Sequence, residues 1–154
     1  MMPKIMPFLW FDRNAEEAVE FYLNIFPNSR KVDELRTTEA GPGPRDSVLT
    51  IEFELDGQRF IALNGGPDHA FNEAVSFYIP CKDQAEIDSY WSKLLEGGGS
   101  PIACGWLKDR FGLRWQVVPE NVGKLLRHPE AMRVMMTMTK MDLAALEAAA
   151  GKQD

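Results

Sequence analysis

The chain has 154 residues, 45% hydrophobic and 26% charged, with a net charge of −6 and a pI near 5.0, the make-up of one ordinary folded domain with ample core material. An acidic balance without a Lys/Arg stripe argues against a nucleic-acid partner. No apolar run approaches the roughly 20 residues of a membrane helix, and no basic region followed by an apolar signal core opens the chain, so the expectation is a cytoplasmic protein with no membrane partner and with Cys81 and Cys104 reduced.

Residues 4–11 are rich in strand formers. Asn14 stands where it would cap the following helix, with Glu17 completing a capping box, and Ala15, Ala18, Val19, Tyr22 and Phe26 share one face until Pro27-Asn28. A strand over 30–37 precedes Gly41-Pro42-Gly43-Pro44, a loop whose composition joins neither neighbour and which is expected to be mobile. Leu49, Ile51, Phe53 and Leu55 alternate with polar residues as a half-buried strand does, and Asp56-Gly57 is a hairpin turn into a strand over 59–63. The first half reads β-α-β-β-β.

After Gly65-Gly66-Pro67 the same order begins again. Val75, Phe77 and Ile79 alternate with polar neighbours, and Asp83 opens a helix whose stripe is Ile87, Trp91, Leu94 and Leu95, ended by Gly97-Gly98-Gly99. A short strand up to Cys104 is followed by a hairpin that turns from Asp109 to Gly112 and ends at Pro119. Its second strand places Trp115 and Val117 on one face, and Arg114, Gln116 and Val118 on the other. Phe8-Leu9-Trp10-Phe11 aligns with Phe77-Tyr78-Ile79-Pro80, and Tyr22 with Trp91, an internal duplication of about seventy residues. Residues 120–150 read as a helical tail in which Pro129 takes a first helical position, Asp142 caps the last helix and Gly151 ends it.

The same alternation puts Ile5, Pro7, Leu9, Phe60, Ala62, Ser76, Tyr78, Arg114 and Gln116 on the sheet face away from the helices, a mostly apolar surface with a few polar groups. Tyr78 and Gln116 read either as ligand contacts or as a polar pair satisfied within the sheet. Arg114 reads as a charge at the edge of that surface or as an anion contact. Cys104 beside Trp106 has no histidine near it in sequence to act as base, so packing is the simpler reading than nucleophilic catalysis. Asp109 with Arg110 reads as turn chemistry and a surface charge pair. His69 reads as a solvated loop residue, a general base only if its loop covers the surface. Met132, Met135, Met136, Met138 and Met141 suit helix packing or a dimer interface, with a ligand-adaptive surface as the rarer use.

Several runs carry a resemblance: Pro7-Phe8-Leu9-Trp10-Phe11-Asp12, Ala15-Glu16-Glu17-Ala18 with Phe21-Tyr22, Phe26-Pro27-Asn28-Ser29, Phe71-Asn72-Glu73-Ala74-Val75-Ser76-Phe77, and Cys104-Gly105-Trp106-Leu107 through Trp115-Gln116-Val117-Val118-Pro119. Together they resemble the PhnB-like family of the vicinal oxygen chelate superfamily, which includes glyoxalase I, extradiol dioxygenases and bleomycin-resistance proteins. That family often carries the label 3-demethylubiquinone-9 3-methyltransferase. The resemblance spans residues 6–119, and 138–148 of the tail are also similar to family members. It implies an α+β fold in which tandem βαβββ modules, 4–64 and 74–119 of a single domain 1–154, form a cupped mixed sheet with helices outside, and it implies a homodimer.

In the superfamily, metal ligands come from strand positions facing the cup. Carried over, those places are Ile5, Ala62, Ala74 or Val75, and Gln116, of which only Gln116 has a donor atom, so neither metal nor cofactor is expected. The Gly-rich strand-to-helix turn of a common S-adenosylmethionine enzyme has no counterpart in that context. The expectation is a metal-free module that binds a small apolar or amphipathic molecule through Leu9, Phe60, Ser76, Tyr78, Cys104, Trp106, Arg114 and Gln116, with no catalytic residue assigned. Two alternatives stay open: an enzyme, either a methyltransferase or a metal-dependent lyase or dioxygenase, and a dimeric structural or interaction protein.

Overall fold

The structure of the chain, a computed structural model, describes residues 3–151 and realises the β-α-β-β-β order twice. The chain divides into two units, one ending at Phe71 and the next beginning at Asn72. The first holds β1 (Phe8–Phe11), α1 (Ala15–Ile25), β2 (Arg30–Arg36), β3 (Val48–Leu55) and β4 (Gln58–Asn64), in a sheet of order β1-β4-β3-β2. The second holds β5 (Phe77–Cys81), α2 (Gln84–Leu95), β6 (Ser100–Pro101), β7 (Trp106–Lys108) and β8 (Arg114–Pro119), in the order β5-β8-β7-β6. In each sheet the first two strands run parallel and the other neighbours antiparallel. Then follow α3 (Val122–Leu125), α4 (Pro129–Met135) and α5 (Leu143–Gly151). No helix among the described residues is long and apolar enough to cross a membrane.

In the first unit α1 buries Ala15, Ala18, Val19 and Tyr22, as its periodicity requires. The capping box expected of Asn14 and Glu17 does not form, because Asn14 (φ −119°, ψ 26°) lacks the extended backbone of a side-chain cap and makes no cap bond. Asn64 at the end of β4 takes over: its Oδ1 accepts from the Ala15 N–H at 2.9 Å, while its Nδ2 donates to Glu16 Oε1 and the Val48 carbonyl. Asp56 (φ 48°) and Gly57 (φ 85°) both turn left-handed, the geometry of the expected tight hairpin.

The covered face of this sheet carries Leu9, Phe11, Ile51, Phe53, Leu55, Phe60 and Ala62, with Phe53 and Phe60 stacked at 5.3 Å. Asn64 shares the side of Phe60 and Ala62 and reaches the start of α1, so this face is the one beneath the helix. The expectation for β1 and β4 is therefore corrected: Leu9, Phe60 and Ala62 belong to the core, not to the open face. Ile5 and Pro7 precede β1, which begins only at Phe8. The cause is a difference in linker length. Three residues, Asp12-Arg13-Asn14, join β1 to α1, whereas two, Lys82-Asp83, join β5 to α2. Matched at the last residue of each strand, where the burial patterns also agree, Phe8 corresponds to Tyr78, Leu9 to Ile79 and Phe11 to Cys81, one residue away from the alignment that the apolar runs suggest. A slip of one residue exchanges the two faces of a strand.

In the second unit Asp83 caps α2 by accepting from the Glu86 N–H at 2.9 Å. The helix buries Ile87, Trp91 and Leu94, and the covered strand positions are Ile79, Cys81, Leu107, Trp115 and Val117. Val75 precedes β5 and is exposed. The strand expected to reach Cys104 stops at Pro101, because the chain reverses at Cys104 (φ 54°) and Gly105 (φ 85°). The tail straps this reversal: Met138 and Thr139 carbonyls accept from the Cys104 and Gly105 N–H groups at 2.9 and 2.8 Å. The Gln84 side chain holds the next segment, donating to the Met141 carbonyl and accepting from the Leu143 N–H. Met141 is buried, whereas Met132 and Met136 are exposed. Pro129 and Asp142 play the helix-start roles expected of them.

A Cβ at Gly105 would lie 2.8 Å from the Val117 carbonyl oxygen and 2.9 Å from Met141 Cγ, on a backbone at φ 85°. Gly57 shares that φ but has no neighbour within 4 Å. Urea unfolding should show Gly57→Ala costing about 1–2 kcal/mol, and Gly105→Ala costing about 1–3 kcal/mol more. Equal losses would mean that the reversal is not tightly enclosed.

Candidate functional site

The second sheet's open face is set by the turn between β7 and β8. Asp109, expected as part of a surface charge pair, is only 1% exposed. Its Oδ1 accepts from the N–H groups of Phe111 and Leu113 at 2.9 and 3.0 Å, and its Oδ2 accepts from Trp115 Nε1 at 2.9 Å. Three donors satisfy a carboxylate that would otherwise be costly to bury. The turn chemistry read from the sequence is correct, but the side chain points inward. Gly112 (φ 94°) closes the turn by donating to the Asp109 carbonyl at 3.0 Å.

This clamp pairs Lys108 with Arg114 and Trp106 with Gln116, and β5 adds Tyr78 opposite Gln116. Directly paired residues share a face. Tyr78, Gln116 and Trp106 thus form one row across three strands, with Arg114 and Lys108 as the next. Gln116 Nε2 donates to Ser76 Oγ at 3.0 Å, which fixes the amide and leaves its carbonyl available. Arg114 donates to the Gly112 carbonyl and to Glu73 Oε2 at 2.9 Å. Partial burial raises the Tyr78 phenol above its ordinary value, so it stays a neutral donor through the physiological range.

Of the residues expected at the site, the structure brings together Ser76, Tyr78, Trp106, Arg114 and Gln116. Leu9 and Phe60 are not among them. Cys104 is half-buried in the reversal just before β7. Lys108 escaped the sequence reading, although counting back across the Asp109 turn from Arg114 reaches it. His69 is an exposed loop residue whose ring meets Trp10 edge-on at 4.6 Å. Among the described residues, no group of three His, Cys, Asp or Glu side chains is arranged to hold a metal ion. A separate groove of about 220 Å³ lies in the first unit between the start of α1 and the loop around Gly43, and none of the expected site residues lines it.

Residues 3–118 match the family model described as 3-demethylubiquinone-9 3-methyltransferase. Among solved structures, the PhnB protein from Bacillus cereus is 34% identical with a TM-score of 0.67, over 75% of this chain and 99% of that one. The PA1353 protein from Pseudomonas aeruginosa is 22% identical, TM-score 0.61, over 77% and 97%. A glyoxylase/bleomycin resistance protein/dioxygenase domain from Frankia sp. EAN1pec is 10% identical, TM-score 0.50, over 77% and 93%. At the last two identities the likeness is one of fold, and that fold is the α+β arrangement of two βαβββ modules. No curated protein matches the chain.

Two measurements probe this region. Asp109→Ala should destabilise the protein by about 3 kcal/mol, since it strands three donors, two of them in buried bonds. Asp109→Asn, which must turn an N–H towards the Trp115 indole or lose the turn bonds, should fall between Ala and wild type in urea unfolding. Burial, then the charges of Glu86 and Asp83, push the Cys81 thiol from 9.0 up to about 12. The unfolded thiol releases its proton near pH 9 and the folded one only near 12, so the folded state binds more protons in that window and stability falls as pH rises through it. Cys81→Ala should flatten the fall, and Cys81 should resist alkylation at pH 8 until denaturant is added.

Proposed function

This chain belongs to the PhnB-like family described as 3-demethylubiquinone-9 3-methyltransferase, in the glyoxalase/bleomycin resistance superfamily, and from that premise we propose that it holds a small apolar or amphipathic molecule on the open face of its second sheet, without a metal. The observation that carries this reading is the row Tyr78, Gln116 and Trp106: two aromatic side chains flank an amide already oriented by Ser76. Flat aromatic surface supplies contact area, and one fixed carbonyl with one phenol supplies direction.

A divalent ion does not fit this donor set. Gln116 offers a single neutral oxygen, and the Arg114 guanidinium beside it repels a cation. In the first unit, Ala62, the position carried over from metal-binding relatives, faces the core, and its open-face neighbour is Ile61. The links from β1 to α1 and from β5 to α2 are Asp12-Arg13-Asn14 and Lys82-Asp83, not the glycine-rich turns that bring a helix N-terminus close to a cofactor. These features favour a binding module over the methyltransferase of the family description. Pairing into a homodimer belongs to the same proposal.

Native mass spectrometry of the protein as isolated tests all three elements at once. The expected result is a dimer mass carrying a small organic adduct and no metal. A stoichiometric metal ion, or micromolar binding of S-adenosylmethionine in calorimetry, would overturn the reading.

A further inference from the structure

The two sheets share a topology but differ in how they treat charge on the open face. In the first, Arg59 on β4 pairs with Glu54 on β3, and Ile61 with Glu52. Arg59 reaches both carboxylates, Glu52 at 3.0 Å and Glu54 at 3.6 Å, and the three side chains are only 16, 21 and 21% exposed. The cation is neutralised where it sits. Matched by strand order and register, the second sheet places Arg114 where the first has Arg59, and Gln116 where the first has Ile61. The two glutamates are replaced by Trp106 and Lys108.

The acid that faced the arginine has thus become a second cation. Like charges directly opposed on a sheet repel. Arg114 is 15% exposed in its side chain, but its carboxylate partner Glu73 is 72% exposed and well solvated, a weak neutraliser. Lys108 is half-buried and has no ion pair among the described residues. A chain of net charge −6 therefore sets two cations directly opposite each other beside an aromatic surface.

We infer that Lys108 and Arg114 bind an oxyanion, a carboxylate, sulfonate or phosphate-type group, at one end of a small molecule whose apolar body lies on Trp106 and Tyr78. This rests on the binding surface proposed above and names the class of its ligand. Lysine meets the oxygens as a point charge, and the Arg114 guanidinium, held by the Gly112 carbonyl and Glu73, adds positive field from the opposite strand. Gln116 stands between the cations and the aromatic row, where it meets the polar neck of an amphiphile.

A matched pair of dyes tests the inference: anilinonaphthalene sulfonate, and phenylnaphthylamine, the same body without the anion. Stoichiometric binding of the sulfonate at least about tenfold tighter than its neutral analogue is expected. Lys108→Met should remove most of that gap by weakening the sulfonate, and Lys108→Arg should restore it. In the wild-type protein, raising the ionic strength should narrow the gap, a readout that needs no variant to fold. Equal affinity for the two dyes, or a gap unchanged in Lys108→Met and in high salt, would overturn the anion site but leave the binding surface standing. If neither dye binds, or if Trp106→Ala and Tyr78→Ala bind both as tightly as wild type, the surface itself is wrong.

Discussion

A carboxylate shielded from water holds the second unit in register. Asp109 is tolerated there because the turn and the Trp115 indole supply three hydrogens to its two oxygens. Those bonds leave one way for β7 to lie against β8. With Lys108 facing Arg114 and Trp106 facing Gln116, Leu107, Trp115 and Val117 turn inward beneath α2. Any other offset by one residue would push those apolar side chains into solvent and draw the lysine and arginine into the core. The hydrophobic pattern and the buried acid therefore specify the same register, and the composition of the open face follows from both.

Duplication supplies a comparison inside one chain. Backbone order, strand sense and helix placement repeat, so differences between the units lie in side chains rather than architecture. The first unit spends its open-face charges on each other through Arg59, Glu52 and Glu54, with Arg30 adding a bond to Glu54 at 2.8 Å. The second leaves cations next to aromatic rings. Charges paired within a sheet satisfy each other, whereas Lys108, with no ion pair among the described residues, keeps its charge available to something else.

Much of the fold was legible because its determinants are local. Ile51, Phe53 and Leu55 alternate with glutamates, Asp56-Gly57 has the chemistry of a left-handed turn, and Asp83 caps a helix from its own segment. Arg114 and Gln116 mark the phase of β8 because each polar residue lies between apolar ones. Phe8-Leu9-Trp10-Phe11 offers no such mark: four apolar residues in succession fit either phase, and only the packing of α1 decides. Asn64 was invisible as a helix cap for another reason, since it acts on Ala15 from 49 residues away. Asp109 looked like an ordinary turn acid because its burial depends on an indole six residues further on.

The extra residue between β1 and α1, with Arg13 at φ 60°, has an evolutionary side. A connector that absorbs a length change in its own backbone lets a strand and its helix keep their seats while the residue count between them drifts. Superposing the ancestral halves column by column would then match solvent-facing positions of one copy to interior positions of the other. A gap placed in the connector restores homology, and only then can substitutions on the two sheets be compared as descendants of the same site.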